Sequence, residues 1–364
     1  MASNQLYALW LQRILQLRPT ERITRTRNMA RLVTGIFQSR SVQLSHVATQ
    51  VPSPVDLLSV VRRLSRFLDN PAIRVRDWYA PIAQDWLAYL ARTTGEIRLI
   101  ADGTKVGFGH QLLMIALAYR RRSIPLAWTW VKSSKGHSSA YKQLALLCYV
   151  HQLLPAHIPV SLVGDSEFGA VEVLRQVETW HWTYALRQKT SHQIQLPGQA
   201  WQDFGAVVTQ PGQSRWLGQG LLTQKHAHPT NLLAHWQVGE PEAWLLATNL
   251  LDRRTTLQTY GRRMWVEEMF GDLKSNGFDL ESTHLQHIAR LSRLTLAVAL
   301  LYTWLMDVGG KIIKNGLRHW VDRAERRDLS IFQIGFRLIE RRLTNALAIR
   351  FRCPISPNPK LSGS

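Results

Sequence analysis

Two aspartates stand where short apolar runs end, and carboxylates in that setting can take part in metal-assisted chemistry. Asp102 follows the apolar run at residues 97–101, and Asp165 follows the run at 160–164. The carboxyl ends of sheet strands form the rim where α/β folds hold their ligands, so two such carboxylates on neighbouring strands can share a metal ion. For either aspartate taken alone, the simpler interpretation is a turn capped by its own side chain. The metal-site prediction therefore depends on further residues.

A third carboxylate lies on a helix that the sequence predicts over residues 257–275. At 100° per residue, four polar side chains share one narrow stripe of that helix, and the apolar residues fall on the opposite side. The stripe consists of Tyr260, Arg263, Glu267 and Lys274. An ion pair between residues four apart accounts for Arg263 and Glu267, but not for the tyrosine or the wide spacing. Glu268 falls off the stripe, so Glu267 is the predicted functional acid.

The elements that must position these residues follow from changes along the sequence. Helical periodicity over residues 1–95 predicts an all-α N-terminal domain. Residues 96–308 alternate strand-length apolar runs with helical stretches, which predicts an α/β core in which helices flank a mixed sheet. A stretch rich in Gln, Gly and His at about 188–243 predicts a β-rich unit inserted into that core. Residues 309–364 are predicted to form a basic helical C-terminal tail.

The charge balance indicates a polyanionic partner. The 364 residues carry a formal net charge of +20, and 45% of them are hydrophobic, as in a folded domain. Residues 1–95 contain thirteen arginines, no lysine and five acidic residues, which favours a DNA-binding unit. Six of these arginines lie on the expected helices: Arg25, Arg27, Arg31, Arg62, Arg63 and Arg66. The same charge argues against a glycosidase that uses paired carboxylates.

Cysteine usage and the apolar segments bear on location. Cys148 and Cys353 lie far apart and lack metal-ligand spacing, so neither a disulfide framework nor a zinc site is predicted, and a reducing cytoplasm fits. The first nineteen residues lack the charged and apolar regions of a signal peptide. The longest apolar stretch, 294–308, is shorter than the ~20 residues of a membrane span and is predicted to be a buried helix. We therefore expect a cytoplasmic protein without membrane contact.

The spacing of the stripe, Y-x2-R-x3-E-x6-K, resembles the signature of bacterial insertion-sequence transposases of the DDE, cut-and-paste type, the insertion-sequence-four family. Two further stretches, IADG at Asp102 and VGDSEFG at Asp165, resemble that family's first two acidic motifs and stand in the expected order. The long gap before Glu267 is similar to the inserted β domain of these enzymes, and EAWLLATNL resembles the strand that leads out of it. The resemblance covers roughly residues 55–345 and implies a ribonuclease H-like fold.

The resemblance also implies roles for individual residues and partners. Asp102, Asp165 and Glu267 would be the catalytic ligands of Mg2+, with two ions expected and Mn2+ able to substitute. Six residues would bind DNA: Tyr260, Arg263, Lys274, Trp244, Arg187 and Lys189. Trp244 would hold a flipped base, although its apolar setting equally fits a core residue. The expected partners are double-stranded DNA, as terminal inverted repeats and as target, and a second copy of the chain.

Two alternatives stay open at this stage. A metal-dependent nuclease that cuts DNA without joining it would carry the same three acids. A non-catalytic DNA-binding protein derived from a transposase would keep the basic helices without needing the acids. The C-terminal region is shorter than in the longer family members, which argues against a dimer that depends on a large C-terminal domain.

Overall fold

The structure is a computed structural model that describes residues 2–107, 109–132, 138–323, 325 and 327–349. The chain divides into two compact units. A helical unit is built from residues up to Tyr89 and from Met269 onward, together with Val106–His110. An α/β unit is built from Leu90–Lys105 and Gln111–Glu268. The predicted tail beyond residue 349, with Cys353, lies outside the described residues.

The elements are numbered here in chain order. The α-helices of the described residues are α1 (Ala2–Leu17), α2 (Ile23–Ser39), α3 (Leu44–Thr49), α4 (Leu57–Asp69), α5 (Val75–Thr94), α6 (Ala140–Leu153), α7 (Val171–Thr179), α8 (Arg253–Tyr260), α9 (Trp265–Leu273), α10 (Ile288–Lys314) and α11 (Ile331–Thr344). The strands are β1 (Ile97–Val106), β2 (His110–Tyr119), β3 (Arg122–Lys132), β4 (Val160–Gly164), β5 (Thr183–Arg187), β6 (Gln193–Gln195), β7 (Gln202–Asp203), β8 (Ser214–Leu222), β9 (His228–His235) and β10 (Trp244–Thr248).

In the helical unit, the N-terminal and C-terminal helices share one core. The Trp10 ring of α1 meets the Trp304 ring of α10 at 5.4 Å between centroids, and the Phe37 ring of α2 stacks on Phe336 of α11 at 4.6 Å. These helices lie far apart in the sequence, in the predicted N-terminal domain, at the end of the predicted core and in the predicted C-terminal tail. They come together because each helix alone exposes an apolar stripe that only another helix can cover.

Helix α10 forms the centre of the helical unit. It runs from Ile288 to Lys314 and so extends beyond both ends of the apolar stretch 294–308 that is predicted to be a buried helix. By length and composition alone it is long enough and apolar enough to cross a membrane, but most of its apolar stretch is buried inside the protein. It packs closely on α11. A Cβ atom added at Gly309 would lie only 1.9 Å from the carbonyl oxygen of Ile331, so the two helix backbones approach each other at this glycine. The prediction of a buried core helix agrees with this packing.

Helix α4 shows how the sequence sets an inner and an outer face. Asp56 caps its first turn by accepting a hydrogen bond from the Ser59 backbone N–H at 2.9 Å. Its buried residues recur at helical spacing: Val60, Leu64, Phe67 and Leu68. The opposite face leaves Arg62 and Arg66 exposed to solvent.

The α/β unit contains one ten-stranded sheet in the order β3-β2-β1-β4-β5-β10-β9-β8-β6-β7. Strands β1 and β2, and likewise β2 and β3, are joined by links too short for a crossover, so each pair is an antiparallel hairpin. Strand β4 pairs in parallel with both β1 and β5. Helix α6 precedes β4 in the chain, and helix α7 connects β4 to β5. From β5 onward the partners run antiparallel, so the sheet is mixed.

The stretch predicted to be β-rich folds as β6 to β9, and these strands continue the sheet that carries the acids. The join is made by β9, whose residues pair with β10, while β10 pairs with β5 on its other side. The side chains at the β10 end of the β-rich stretch therefore lie on the same sheet as those of β4 and β5.

Candidate active site

Asp102 and Asp165 lie next to each other on neighbouring parallel strands. The last registered pair between β1 and β4 is Ala101 with Gly164, and each aspartate is the next residue of its strand or turn. The prediction that Asp102 ends its strand is wrong, because β1 runs on to Val106 and then pairs with β2. The parallel pairing with β4 does stop before Asp102, so the two carboxylates still come together.

Asp102 is buried and Asp165 is partly buried, which opposes the ionisation of both carboxyl groups. Asp102 is 5% exposed, and burial raises its pKa even though Arg263 opposes the shift. Burial, the neighbouring Asp102 and then Glu167 raise the pKa of Asp165 to about 7. Because the Asp102 carboxylate adds to burial in raising the pKa of Asp165, the centre has too little positive charge, which favours cation binding.

Arg263 supplies the positive charge in this structure and connects the third acid to the first. Its Nη1 donates to Asp102 Oδ2 at 2.7 Å, and its Nη2 donates to Glu267 Oε1 at 2.8 Å. The Arg263 side chain is 13% exposed, whereas that of Glu267 is 50% exposed. The guanidinium thus bridges a buried acid and an open one, a geometry that suits its planar set of donors.

The predicted continuous helix over 257–275 is wrong in its geometry. Helix α8 starts at Arg253, where Asp252 caps it, and ends at Tyr260. A 3-10 turn over Gly261–Met264 then separates α8 from α9. Because a 3-10 turn winds at about three residues per turn, the angles of a single α-helix no longer apply. Within the stripe, the hydrogen bond that the structure describes joins Arg263 to Glu267.

Tyr260 points inward instead of facing solvent with the stripe. It is 1% exposed, and its hydroxyl is buried without a hydrogen-bond partner among the described residues. Burial raises its pKa to about 12, so the phenol keeps its proton at neutral pH. The ring meets the half-buried Trp244 edge-on at 5.0 Å between centroids, and His235 flanks that tryptophan at 5.8 Å. A buried hydroxyl of this kind is a donor available to a bound group.

The other predicted DNA contacts have partners of their own or stand open. Lys274 follows the end of α9 and forms an ion pair with Glu281 at 2.6 Å. Arg187 ends β5 and donates to the Glu242 carboxylate at 2.7 Å and to the Ala243 carbonyl at 2.9 Å. Lys189, two residues later, is exposed. The described contacts of these three residues do not include the acids of the site.

One buried acid beside the aspartates received no role in the sequence analysis. Glu167 stands in the motif VGDSEFG, is 6% exposed and lies in the 3-10 turn Ser166–Phe168 that follows Asp165. The available signal was its position in that motif, two residues after a candidate ligand. Its partners come from distant parts of the sequence, which local spacing does not reveal.

The site fits a divalent metal ion by the chemistry of its donors. Carboxylate oxygens are the ligands that Mg2+ prefers, and the raised pKa values of Asp102 and Asp165 mark a shortage of positive charge. Within the described residues, however, no group of three His, Cys, Asp or Glu side chains stands close enough to hold an ion. Arg263 lies between Asp102 and Glu267 instead, so these side chains would rearrange on metal binding.

Comparison with known proteins identifies the family. The profile of the transposase DDE domain matches residues 94–304, more than half of the chain, and the chain therefore belongs to that family. This range contains Asp102, Asp165 and Glu267. Comparison with curated proteins gives no match. A solved structure described as the cryo-EM structure of a piggyBac transposase synaptic complex with hairpin DNA is similar over 98% of this chain and 85% of that chain, at 10% identity and a TM-score of 0.39, which is too distant to carry an argument.

Proposed function

We propose that this protein is a DNA transposase that moves an insertion sequence by cut-and-paste transposition, through DNA strand cleavage, a hairpin intermediate and strand transfer. The observation that carries the proposal is the acid centre of a DDE-domain chain, where the buried Asp102 adjoins the partly buried Asp165 and Arg263 links Asp102 to Glu267. The mixed sheet, with β1 between antiparallel β2 and parallel β4, supports a ribonuclease H-like core for that centre. The YREK spacing supports membership of the insertion-sequence-four group.

Asp102, Asp165 and Glu267 would hold the metal, with Mg2+ in two copies as the proposed occupant and Mn2+ as a substitute. Such ions polarise the phosphoryl oxygens and activate the attacking oxygen when bound. The aspartates supply two carboxylates already side by side on the sheet. Glu267 is half exposed, so it can turn toward them once Arg263 has released it.

Arg263 and Tyr260 would bind the phosphates around the scissile bond. A phosphate accepts two hydrogen bonds from a guanidinium as a carboxylate does, so Arg263 can exchange an acid for the DNA backbone. The unpartnered Tyr260 hydroxyl beside it would donate one more hydrogen bond. Lys274, Arg187 and Lys189 would contact the DNA backbone further along.

Trp244 would take a base that leaves the stack during hairpin formation. Its ring is half-buried at the start of β10, in edge contact with Tyr260. An aromatic face stabilises an unstacked base whatever its identity. Nicking would free a 3′-hydroxyl. This hydroxyl would attack a phosphorus of the opposite strand, and the oxygen that joined that phosphorus to the rest of the strand would leave. Water then reopens the hairpin, and the 3′-hydroxyl attacks target DNA.

The helical unit would provide sequence recognition of the element ends. The net charge of residues 1–95 and the exposed arginines of α4 support this role. We propose that two copies of the chain act together on paired inverted repeats in the bacterial cytoplasm. A homodimer accounts for the pairing because each copy would bind one end of the element.

The test compares two adjacent glutamates on DNA duplexes that carry the sequences flanking the coding region. Glu267→Gln is expected to lower Mg2+-dependent cleavage and the joining of pre-cut ends by about 100-fold or more, since a metal ligand is lost. Glu268→Gln is the matched control, because Glu268 is similarly exposed and its described ion pair is with Arg122, at 3.9 Å, and not with Arg263. It should retain activity close to wild type.

Three results would count against the proposal. Equal loss in both variants would show that Glu267 has no special role. Cleavage by the wild type without joining would favour a nuclease, and DNA binding without cleavage in either metal would favour a non-catalytic DNA-binding protein. Joining that depends on Glu267 but not on Glu268 supports the transposase.

A further inference from the structure

Glu167 is a buried carboxylate that the proposed reaction does not use. Its own backbone N–H donates to Asp165 Oδ1 at 3.2 Å. Both of its carboxylate oxygens are occupied by protein donors. Oε2 accepts a hydrogen bond from the Gln111 side chain, and Oε1 accepts one from the Ser138 backbone N–H at 2.9 Å. A carboxylate with both oxygens engaged in this way is held as part of the structure and is not an open ligand.

The turn that carries Glu167 is also held from helix α6. Gln143 is 1% exposed, and its Nε2 donates to the Glu167 carbonyl oxygen at 2.7 Å and to Ser138 Oγ at 2.9 Å. Gln111 is fully buried on β2. The residues just after Asp165 are thus fixed by β2 and α6, two elements that both precede Asp165 in the sequence.

The bond between Gln111 and Glu167 passes over β1 beside Asp102. A Cβ atom added at Gly103 would lie 2.5 Å from Gln111 Nε2 and 2.9 Å from Glu167 Oε2, so only glycine leaves room for this pair. The Gly103 backbone N–H in turn donates to Asp102 Oδ1 at 2.7 Å. Asp102 therefore receives a backbone hydrogen bond from Gly103, which lies next to the Gln111–Glu167 pair. Asp165 receives one from Glu167, a member of that pair.

We propose that Glu167 is a positioning residue, which with Gln111 and Gly103 braces the turn of Asp165 against the strand of Asp102 and sets the two carboxylates for a shared divalent cation. The inference rests on the proposed function, since it assigns the geometry of that metal site. It explains two motif residues, the Gly of IADG and the Glu of VGDSEFG, that the reaction leaves without a role.

The choice of glutamate over glutamine supports a functional brace. A glutamine could also accept from Ser138 and could pair with a flipped Gln111 amide. Glutamate instead places a further negative charge near Asp165, which works against the ionisation of that carboxyl group. The same charge favours a cation once one is bound. Residues that orient metal ligands typically change metal affinity 10- to 100-fold when removed.

The experiment measures Mn2+ binding by the full chain without DNA, from the loss of the free-ion electron paramagnetic resonance signal. Gln111→Met and Gly103→Ala break the brace from two sides and keep the Glu167 charge. Both are expected to weaken Mn2+ binding by about tenfold or more. Glu167→Ala should weaken it at least as much, and adding Gln111→Met to it should cause little further loss. Glu167→Gln should bind Mn2+ more tightly than Glu167→Ala, because the amide can keep both hydrogen bonds.

Controls separate this inference from the proposal on which it rests. Glu172→Gln, at an exposed acid of α7, should bind Mn2+ like the wild type. Melting temperatures identify variants that fail to fold, and if Glu167→Ala is one of them, the two brace variants decide. Wild-type affinity in folded Gln111→Met and Gly103→Ala would overturn the brace alone, as would equal affinity of the two Glu167 variants. A wild type that binds no Mn2+, or a loss that Asp165→Asn does not reproduce, would overturn the metal site itself.

Discussion

Arginines of the α/β unit and of the helical unit carry the same charge in opposite surroundings. Arg263 is 13% exposed and bound to two acids, Asp102 and Glu267. Arg62 and Arg66 stand exposed on the outer face of α4, away from its apolar core residues. Arg263 is held by neighbouring acids inside the site. The second pair presents positive charge to whatever approaches the helix.

The difference determines how each region responds to change. Charges interact strongly where water is excluded, so removing one partner of a buried pair leaves an uncompensated charge. Exposed charges are screened by salt and act nearly independently of one another. We therefore expect large, specific effects from the acid centre and small, additive, salt-dependent effects from α4.

The largest effect is expected from Arg263→Ala. This change leaves Asp102 without its cationic partner and removes the donor proposed for the scissile phosphate. DNA cleavage at saturating Mg2+ should fall by about 100- to 1,000-fold, the usual loss for a charge-stabilising donor in a water-excluded site. Arg263→Lys should recover little, because one ammonium cannot bridge two groups as the guanidinium does.

Arg262→Ala provides the matched control for that prediction. Arg262 neighbours Arg263 in the 3-10 turn but makes no hydrogen bond to either acid in the described structure. It should lose activity only through weaker DNA binding, which excess DNA restores. Recovery of the Arg263→Ala variant by excess DNA would contradict a role at the reacting phosphate and would make the two regions alike.

The sequence predicted some elements of the site correctly and others wrongly, for physical reasons. Apolar runs located β1 to β4 and hence the two aspartates, because a buried strand needs continuous apolar residues whatever its neighbours. The positions predicted from 100° per residue are wrong around Tyr260. The 3-10 turn that begins at Gly261 changes the number of residues per turn, and the tyrosine is buried instead of exposed. Its burial depends on packing, which periodicity within one segment does not contain.

Partners distant in sequence were beyond prediction for a similar reason. Gln111 and Glu167 are 56 positions apart and meet only because β1, β2 and β4 are neighbours in the sheet. Arg263 and Asp102 are 161 positions apart. Residue types indicated that both acids and bases belong to a site. The sheet order decides which of them pair.

A second, intermediate effect concerns the pH dependence of the acid centre. The pKa of Asp165 is raised from 3.8 to about 7 in the folded protein, so folding favours its protonated form. That contribution is fully present below pH 4 and is lost as the pH rises through about 7. Without metal, the stability of Asp165→Asn should therefore match that of the wild type near pH 4 and exceed it by up to about 4 kcal/mol at pH 8. Thermal unfolding at both pH values measures the difference.

Two further measurements sharpen the pH prediction. Mg2+ added at pH 8 should stabilise the wild type and leave Asp165→Asn unchanged. Asp252 caps α8, and hydrogen bonds from Thr255 lower its pKa, so Asp252→Asn should destabilise at pH 8 and not at pH 3. If both variants were destabilised at pH 8, the result would show that the surroundings of Asp165 do not disfavour its ionised form.

The smallest effects are expected on α4. Arg62→Ala and Arg66→Ala should each weaken binding to a DNA duplex several-fold at 0.1 M salt and should add in the double variant. Each lost phosphate contact should lower the slope of log affinity against log salt by about one. Filter binding across a salt series measures both quantities, and the cleavage rate at saturating DNA should not change.

Arg92→Ala decides whether these contacts belong to α4 or to positive charge in general. Arg92 is an exposed arginine in the last turn of α5, with the same charge and no place on the α4 face. If its loss weakens binding as much as the loss of Arg62, the DNA responds to net charge and α4 has no special role. If Arg92→Ala retains wild-type affinity and salt slope while the α4 variants do not, the outer face of α4 is the DNA contact. Unlike Arg263, those arginines would then act through binding alone.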